Sequence, residues 1–259
     1  MKEIKSKSFA NGSVYLLKTD DGYPLEVTDT FLPYYTKDAI GRKQNLLDNV
    51  ELGDRTERWM IGVSTMSGCP VRCKFCATAK LKRWCNLTAQ EILDQVDFIV
   101  GKNNINPSES KEFKINYTRM GEFGLNSEEI KKAIKLIDSK YPNVHHFIST
   151  IGIKGTDFSW ITGNVTLQIS VHSLDEKYRD WLIPYNRKMT LKELSEIRTN
   201  SNNKTTINLT LTNEEQLDVD KLRSYFDPEH FFIKLSPLNE NYISDKNHVE
   251  GVIVGHNLV

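Results

Sequence analysis

Short apolar runs and turn signals alternate through the first 35 residues. Val14 to Leu17 and Leu25 to Val27 are flanked by Asn11-Gly12 and Asp21-Gly22, pairs that favour tight hairpins. The pattern predicts a small antiparallel β cap. Residues 36–58 are dominated by charge and read as a polar linker, in which Leu46, Leu47, Val50 and Leu52 could form a short amphipathic piece. From Met60 onward the period changes. Apolar runs at 61–66, 113–118, 144–151, 165–171, 205–211 and 231–235 predict six strands separated by stretches of helical periodicity. Thr88 with Glu91, Asn126 with Glu129, Thr190 with Glu193 and Asn213 with Gln216 each match a capping box at a helix start. Behind the first, Ile92, Val96, Ile99 and Val100 share a stripe; behind the second, Ile130, Ala133, Ile134 and Ile137 do. Six βα units predict an α/β fold, either an open doubly wound sheet or a partial barrel. In both, ligands collect where the strands end.

Composition narrows the partners. The 259 residues suffice for one substantial core and a small appendage, and the strand pattern divides them into 1–59, a cap and linker, 60–240, the core, and 241–259, a short extension. Lys and Arg number 34 and so do Asp and Glu, which argues against attachment to nucleic acid through bulk charge. No apolar stretch approaches the roughly 18 residues of a membrane span, and MKEIKSKSFA lacks the apolar core of a secretory signal. The expected compartment is the cytoplasm, with no membrane partner.

All four cysteines, Cys69, Cys73, Cys76 and Cys85, fall in one short stretch after the first core strand. Thiols so crowded read as ligands or redox groups rather than as a disulfide scaffold. Cys69, Cys73 and Cys76 have three and then two residues between them, a spacing that wraps a loop around one soft centre. Two centres fit. A structural zinc would need a fourth ligand from Cys85, His145 or His146. A four-iron cluster held by three thiolates would leave one iron open to a small molecule.

The CxxxCxxC loop, with Phe75 before its last cysteine and at the end of the first strand of a βα array, resembles the radical SAM superfamily. The resemblance implies a [4Fe-4S] cluster on Cys69, Cys73 and Cys76 in a partial (β/α)6 TIM-like barrel. The open iron of that cluster binds S-adenosylmethionine (SAM), whose reductive cleavage yields a 5′-deoxyadenosyl radical that abstracts hydrogen from a substrate. Further stretches are similar to the rRNA adenine methyltransferases of the RlmN/Cfr type: Gly68-Cys69 through Cys76-Ala77-Thr78, Asn86-Leu87-Thr88, Glu91-Ile92, Met120-Gly121-Glu122, Ile148 through Gly152, Ile169 through His172, Arg179, Pro184 through Lys188, and Pro237-Leu238-Asn239. These matches imply SAM contacts from Gly121 and Glu122 to the amino group, and from Ser149 and Ser170 to ribose or carboxylate. They also imply contacts from His172 and the Val171 backbone, and from Asn239 near adenine or ribose. They imply in addition an electron donor such as flavodoxin or ferredoxin, and a nucleotide or RNA as substrate.

Two features break the resemblance. The methyltransferases of that branch carry a cysteine seven residues before the first cluster ligand, and that position is Gly62 here. They carry another well beyond the sixth strand, and no cysteine follows Asn239. The expectation is therefore a radical SAM enzyme that does not methylate RNA through two thiols. Cys85 occupies neither thiol position and reads as a structural thiol or a hydrogen donor. Arg119, where the branch has a small residue, reads as a strand-end charge or a grip on an anionic substrate. The branch's upstream base would fall near Glu26 or Asp29, each expected to be a surface carboxylate. Beside this reading stand a radical SAM enzyme acting on a peptide or small metabolite, and a non-catalytic relative that binds SAM, a cluster or zinc. Lys74, Lys80, Lys82, Arg83, Arg187 and Lys188 are the candidate basic rim for a nucleic acid.

Overall fold

The computed structural model describes residues 1–31, 36–37, 43–44, 53–212, 216 and 218–252. Leu46, Leu47, Val50, Leu52 and Asn213, on which two expectations rest, lie outside the described residues. The chain forms two compact units, one of Met1–Thr65, Leu87–Arg119 and Glu128–His146, the other of Met66–Asn86, Met120–Ser127 and Phe147–Val259.

The first unit carries β1 (Lys2–Phe9), β2 (Gly12–Lys18), β3 (Pro24–Phe31), β4 (Arg58–Gly62) and β5 (Glu112–Tyr117), hydrogen-bonded in that order. The first three form the expected antiparallel meander. β3 then pairs antiparallel with β4, so the meander continues directly into the first core strand, and β4 pairs parallel with β5. Side chains alternate along these strands: Trp59, Ile61, Phe113, Ile115 and Tyr117 are buried. Against them pack α1 (Ala89–Asn103) and α2 (Ser127–Lys140, all but its first residue in this unit). The Thr88–Glu91 capping box opens α1, and Asn104 ends it in a left-handed conformation at φ 51°. On α2 the four expected residues, Ile130, Ala133, Ile134 and Ile137, are the buried ones. The Glu129 carboxylate also accepts from the Ala89 backbone at 2.8 Å, at the start of α1, and pairs with Lys132 at 2.6 Å.

The first core strand is shorter than its apolar run, ending at Gly62 rather than Met66. Side chains take over the backbone there. Gln95 accepts from Ser64 N at 2.8 Å and donates to Ser64 O at 2.9 Å, while the Ser64 hydroxyl donates to Glu26 O at 2.6 Å. Asp29, expected on the surface, is 1% exposed. Its carboxylate accepts from Arg55 Nη2 at 2.6 Å, Trp59 Nε1 at 2.8 Å and Asn103 Nδ2 at 3.0 Å, which ties β3, β4 and α1 together.

β6 (Val144–Thr150) is divided between the units. The second unit orders its later residues with β7 (Val165–Ser170), β8 (Thr205–Leu211) and β9 (Phe231–Pro237). The β7/β8 and β8/β9 pairs are parallel. Short helices connect or follow them: α3 (Glu176–Leu182), α4 (Leu191–Ser195), α5 (Val219–Tyr225) and α6 (Tyr242–Lys246). The Thr190–Glu193 capping box opens α4 as expected.

Replacing Asp29 by Ala leaves the Arg55 guanidinium, the Trp59 indole and the Asn103 amide without their acceptor. The expected loss is about 3 kcal/mol of unfolding free energy, read from the midpoint of a denaturant titration. A loss near zero would show that the network does not hold the unit together.

Candidate functional site

The cysteine loop lies wholly in the second unit. It begins at Gly68, whose φ of 71° and whose close approach to Arg83 O leave no place for a Cβ. Having no strand or helix over Cys69 to Cys76, the loop takes its backbone partners from elsewhere. Lys74 N donates to Leu182 O at 2.9 Å, at the end of α3. Asn247 Nδ2 donates to Lys74 O at 2.9 Å, and Asn241 Nδ2 to Phe75 O at 2.8 Å, so both flanks of α6 grip the loop. Beneath it Val71 packs with Ile151, Ile153, Leu182, Ile183 and Val249, and Cys69, Cys73 and Phe75 lie against that cluster.

Burial governs the thiols. It pushes Cys69 up to about 12, with the nearby Glu122 and Cys76 adding to the rise, and it raises Cys73 well above the ordinary thiol value. A cationic centre that loads here must displace those protons, and it relieves the repulsion among the thiolates. Among the described residues no three His, Cys, Asp or Glu side chains are grouped closely enough to hold a single metal ion. A cluster that offers each thiolate its own iron does not require the sulfurs to converge on one point. The donor set fits an iron–sulfur cluster better than it fits zinc.

Glu122, at the end of the connection from β5, is 4% exposed. It accepts from Thr150 Oγ1, from Ile151 N at 3.1 Å and from Gly124 N at 3.1 Å. Burial raises its pKa, and those hydrogen bonds only partly oppose the rise. A desolvated carboxylate of this kind gains from a cationic partner. Its neighbour Gly121 sits at φ 119°, open to few other residues. Ser149 and Ser170, on neighbouring strands, place their hydroxyl oxygens 3.4 Å apart.

His172 stands at φ 59° just after β7. Its Nδ1 accepts from Thr210 N at 3.0 Å, so the ring proton is on Nε2. Burial, helped by the Arg179 charge, lowers its pKa to about 3, and the ring is neutral. Phe75 meets it edge-on, with ring centroids 4.9 Å apart. Val171 donates its N–H to Asn208 O at 3.1 Å and accepts from Arg179 Nε at 3.3 Å. Asn239 is exposed, and its carbonyl accepts from Asn241 Nδ2 at 3.0 Å. Cys85 is partly buried and forms no disulfide, and its backbone pairs with Ser67 in a two-residue ladder leading to the loop.

Arg179 shows more than its place in the sequence motif indicates. It is fully buried, and its guanidinium donates to Ile151 O at 3.0 Å, Met189 O at 2.6 Å and Val171 O at 3.3 Å. One side chain thereby joins the ends of β6 and β7, which carry Ser149, Ser170 and His172. Only its type and its position in the first turns of α3 were available from sequence; its acceptors are backbone carbonyls, which leave no trace there.

The remaining candidates belong to the first unit. Arg119 Nε donates to Glu26 Oε1 at 2.8 Å, and Nη2 bonds the same oxygen. A Cβ at Gly62 would overlap the Thr28 hydroxyl and come within 3.0 Å of Arg119 Cδ. Other side chains fill the space beside Gly62.

Residues 63–224 match the radical SAM superfamily model. The chain belongs to the radical SAM superfamily, a family that carries a [4Fe-4S] cluster and SAM. Among individual proteins it is similar to the dual-specificity RNA methyltransferase RlmN of Helicobacter hepaticus, 32% identical over 191 residues that make up 71% of this chain and 48% of that protein. It is likewise 32% identical over 193 residues to the probable dual-specificity RNA methyltransferase RlmN of Pseudothermotoga lettingae, covering 70% of this chain and 55% of that one. The chain spans about half the length of the curated relatives it matches. A radical SAM methyltransferase from Sphaerobacter thermophilus superposes with a TM-score of 0.66 at 20% identity, covering 92% of this chain and 67% of that one, which supports the partial TIM-like barrel as the fold. No helix among the described residues is long and apolar enough to cross a membrane.

Two pH effects follow. If Glu122 takes the SAM ammonium, its protonation competes with binding: SAM affinity, measured by equilibrium dialysis on reconstituted protein, falls as pH drops through the raised Glu122 pKa. Glu122→Gln binds about tenfold or more weakly and loses that dependence. A parallel decline in the variant would free Glu122 of the role. Because the folded His172 pKa is depressed, its stabilising contribution is present above its ordinary 6.5 and is lost as pH falls toward about 3. Wild type therefore loses stability relative to His172→Asn across that window; an unchanged difference between the two midpoints would contradict it.

Proposed function

We propose that Cys69, Cys73 and Cys76 hold the cluster. In this reading Glu122, with Gly121 beside it, receives the SAM ammonium, and Ser149, Ser170, His172, the Val171 backbone and Asn239 line the rest of SAM. A cluster held by these three thiolates would supply the electron for reductive cleavage of SAM, the source of the radical chemistry of this superfamily. The chain's own share is to orient and to exclude water. Glu122 fixes the amino group by charge, His172 presents a neutral Nε2–H, Phe75 shields the loop, and Arg179 keeps the two strand ends in register. Residues 60–240 form the catalytic core of this reading, acting in the cytoplasm with a donor such as a flavodoxin or ferredoxin.

The substrate is a nucleotide or RNA. The names of the RlmN relatives support this, as does the exposed basic stretch Lys80, Lys82 and Arg83 just past the cluster loop. The reaction is not the two-thiol methylation. The observation carrying that conclusion is internal to the chain: Gly62, with Thr28 and Arg119 packed where a cysteine side chain would stand. Arg119, held by Glu26, takes over the space.

Anaerobic reconstitution with iron and sulfide, followed by SAM and dithionite, tests the reading. The expected products are 5′-deoxyadenosine and methionine, abolished in Cys73→Ala, with no methyl group appearing on adenine of added 23S rRNA. Zinc in place of iron, or an intact cluster that leaves SAM uncleaved, would sink the radical reading. Methylated adenine would sink the exclusion of methylation.

A further inference from the structure

In the second unit Ile207, Leu209 and Leu211 of β8 are buried on one face, which turns Thr206, Asn208 and Thr210 to the other. Register places Asn208 directly between Ser170 of β7 and Lys234 of β9. Side chains opposed in this way in a parallel sheet share a face. A single row thus runs from Ser149, whose hydroxyl is 3.4 Å from that of Ser170, through Ser170 and Asn208 to Lys234.

Asn208 is anomalous within the row. Its backbone carbonyl accepts from both Val171 N at 3.1 Å and His172 N at 3.2 Å, so the residue is firmly placed. Its side-chain oxygen Oδ1 is buried and has no hydrogen-bond donor among the described residues. A buried amide oxygen left without a donor costs about 1–3 kcal/mol, which a purely structural role does not explain. Lys234 is exposed and has no carboxylate partner among the described residues. The row therefore offers an acceptor wanting an O–H or N–H beside a cation wanting an anion, with hydroxyls on the near side.

We propose that Asn208 and Lys234, next to Ser170 in the row, form a ribonucleotide subsite, in which Asn208 Oδ1 accepts from the ribose 2′-hydroxyl and Lys234 holds the attached phosphate. The proposal rests on the reading of the substrate as a nucleotide or RNA and gives that reading a location. SAM also offers ribose hydroxyls and a carboxylate, but the reading above gives those groups to Ser149, Ser170 and Asn239, which leaves Asn208 and Lys234 for a second ligand. The subsite belongs to the substrate.

The test uses the reconstituted protein and the four ribonucleoside 5′-monophosphates, each paired with its 2′-deoxy form, with affinities read by calorimetry alongside that of SAM. Wild type binds at least one ribonucleotide about tenfold more tightly than the deoxy form, the worth of one hydrogen bond. Asn208→Ala loses that preference while keeping its SAM affinity. Its thermal midpoint is unchanged or higher, since an unsatisfied oxygen has been removed. Lys234→Gln weakens ribo and deoxy forms alike and reduces the salt dependence of binding. A fall in SAM affinity in Asn208→Ala assigns the hydroxyl to SAM and overturns the proposal. So does a lower midpoint, which would mark a structural role, and so does a wild type that binds none of the nucleotides or does not distinguish the sugars. Formation of 5′-deoxyadenosine from SAM alone, followed on the same preparations, separates the two readings: its presence with no sugar preference removes only the subsite, and its absence removes the radical chemistry.

Discussion

A loop that buries its thiols without regular structure cannot satisfy its own backbone. That constraint organises the second unit. Donors and acceptors for residues 74 and 75 come from Leu182, Asn241 and Asn247, and the floor is an apolar cluster drawn from four separate stretches of chain. The same desolvation that strengthens electrostatic interactions keeps Cys69 and Cys73 protonated when nothing is bound. Ligand set, loop anchoring and floor are therefore a single requirement met by distant residues.

Around the loop, the buried charged and titratable groups are held in one state each by local bonds. Glu122 has three donors and still lacks a cation; Arg179 has three carbonyls. His172 is kept neutral with its tautomer set by Thr210. Such groups lose little by reorganising when a ligand arrives, because they have almost no freedom to do so.

The candidate cofactor residues at the strand ends came from the resemblance to the radical SAM superfamily, whereas periodicity located the six core strands to within a few residues and the buried stripes of α1 and α2, except that Val100 is only half-buried. Those features depend on side-chain type repeated at a fixed interval, which is written linearly. What stayed hidden depends on pairing across the chain. Nothing near Asp29 distinguishes a surface carboxylate from a buried hub whose partners lie at 55, 59 and 103. The early end of the first core strand follows from Gln95, 31 positions from Ser64. That Glu129 also serves the start of α1 is not written in the capping-box pattern of its own helix. The filling of the space at Gly62 needs Thr28 and Arg119 together, and the orphaned oxygen of Asn208 is visible only once all possible donors have been placed.

The grip of α6 on the cysteine loop also has a bearing on how the protein is made. Asn241 and Asn247 reach back 166 and 173 residues to the carbonyls of Phe75 and Lys74. During synthesis the cysteines emerge long before those amides exist, and the loop cannot take its anchored form until residue 247 has left the ribosome. Folding thus has a built-in order: the cysteine loop is anchored only once the chain that carries α6 has been made.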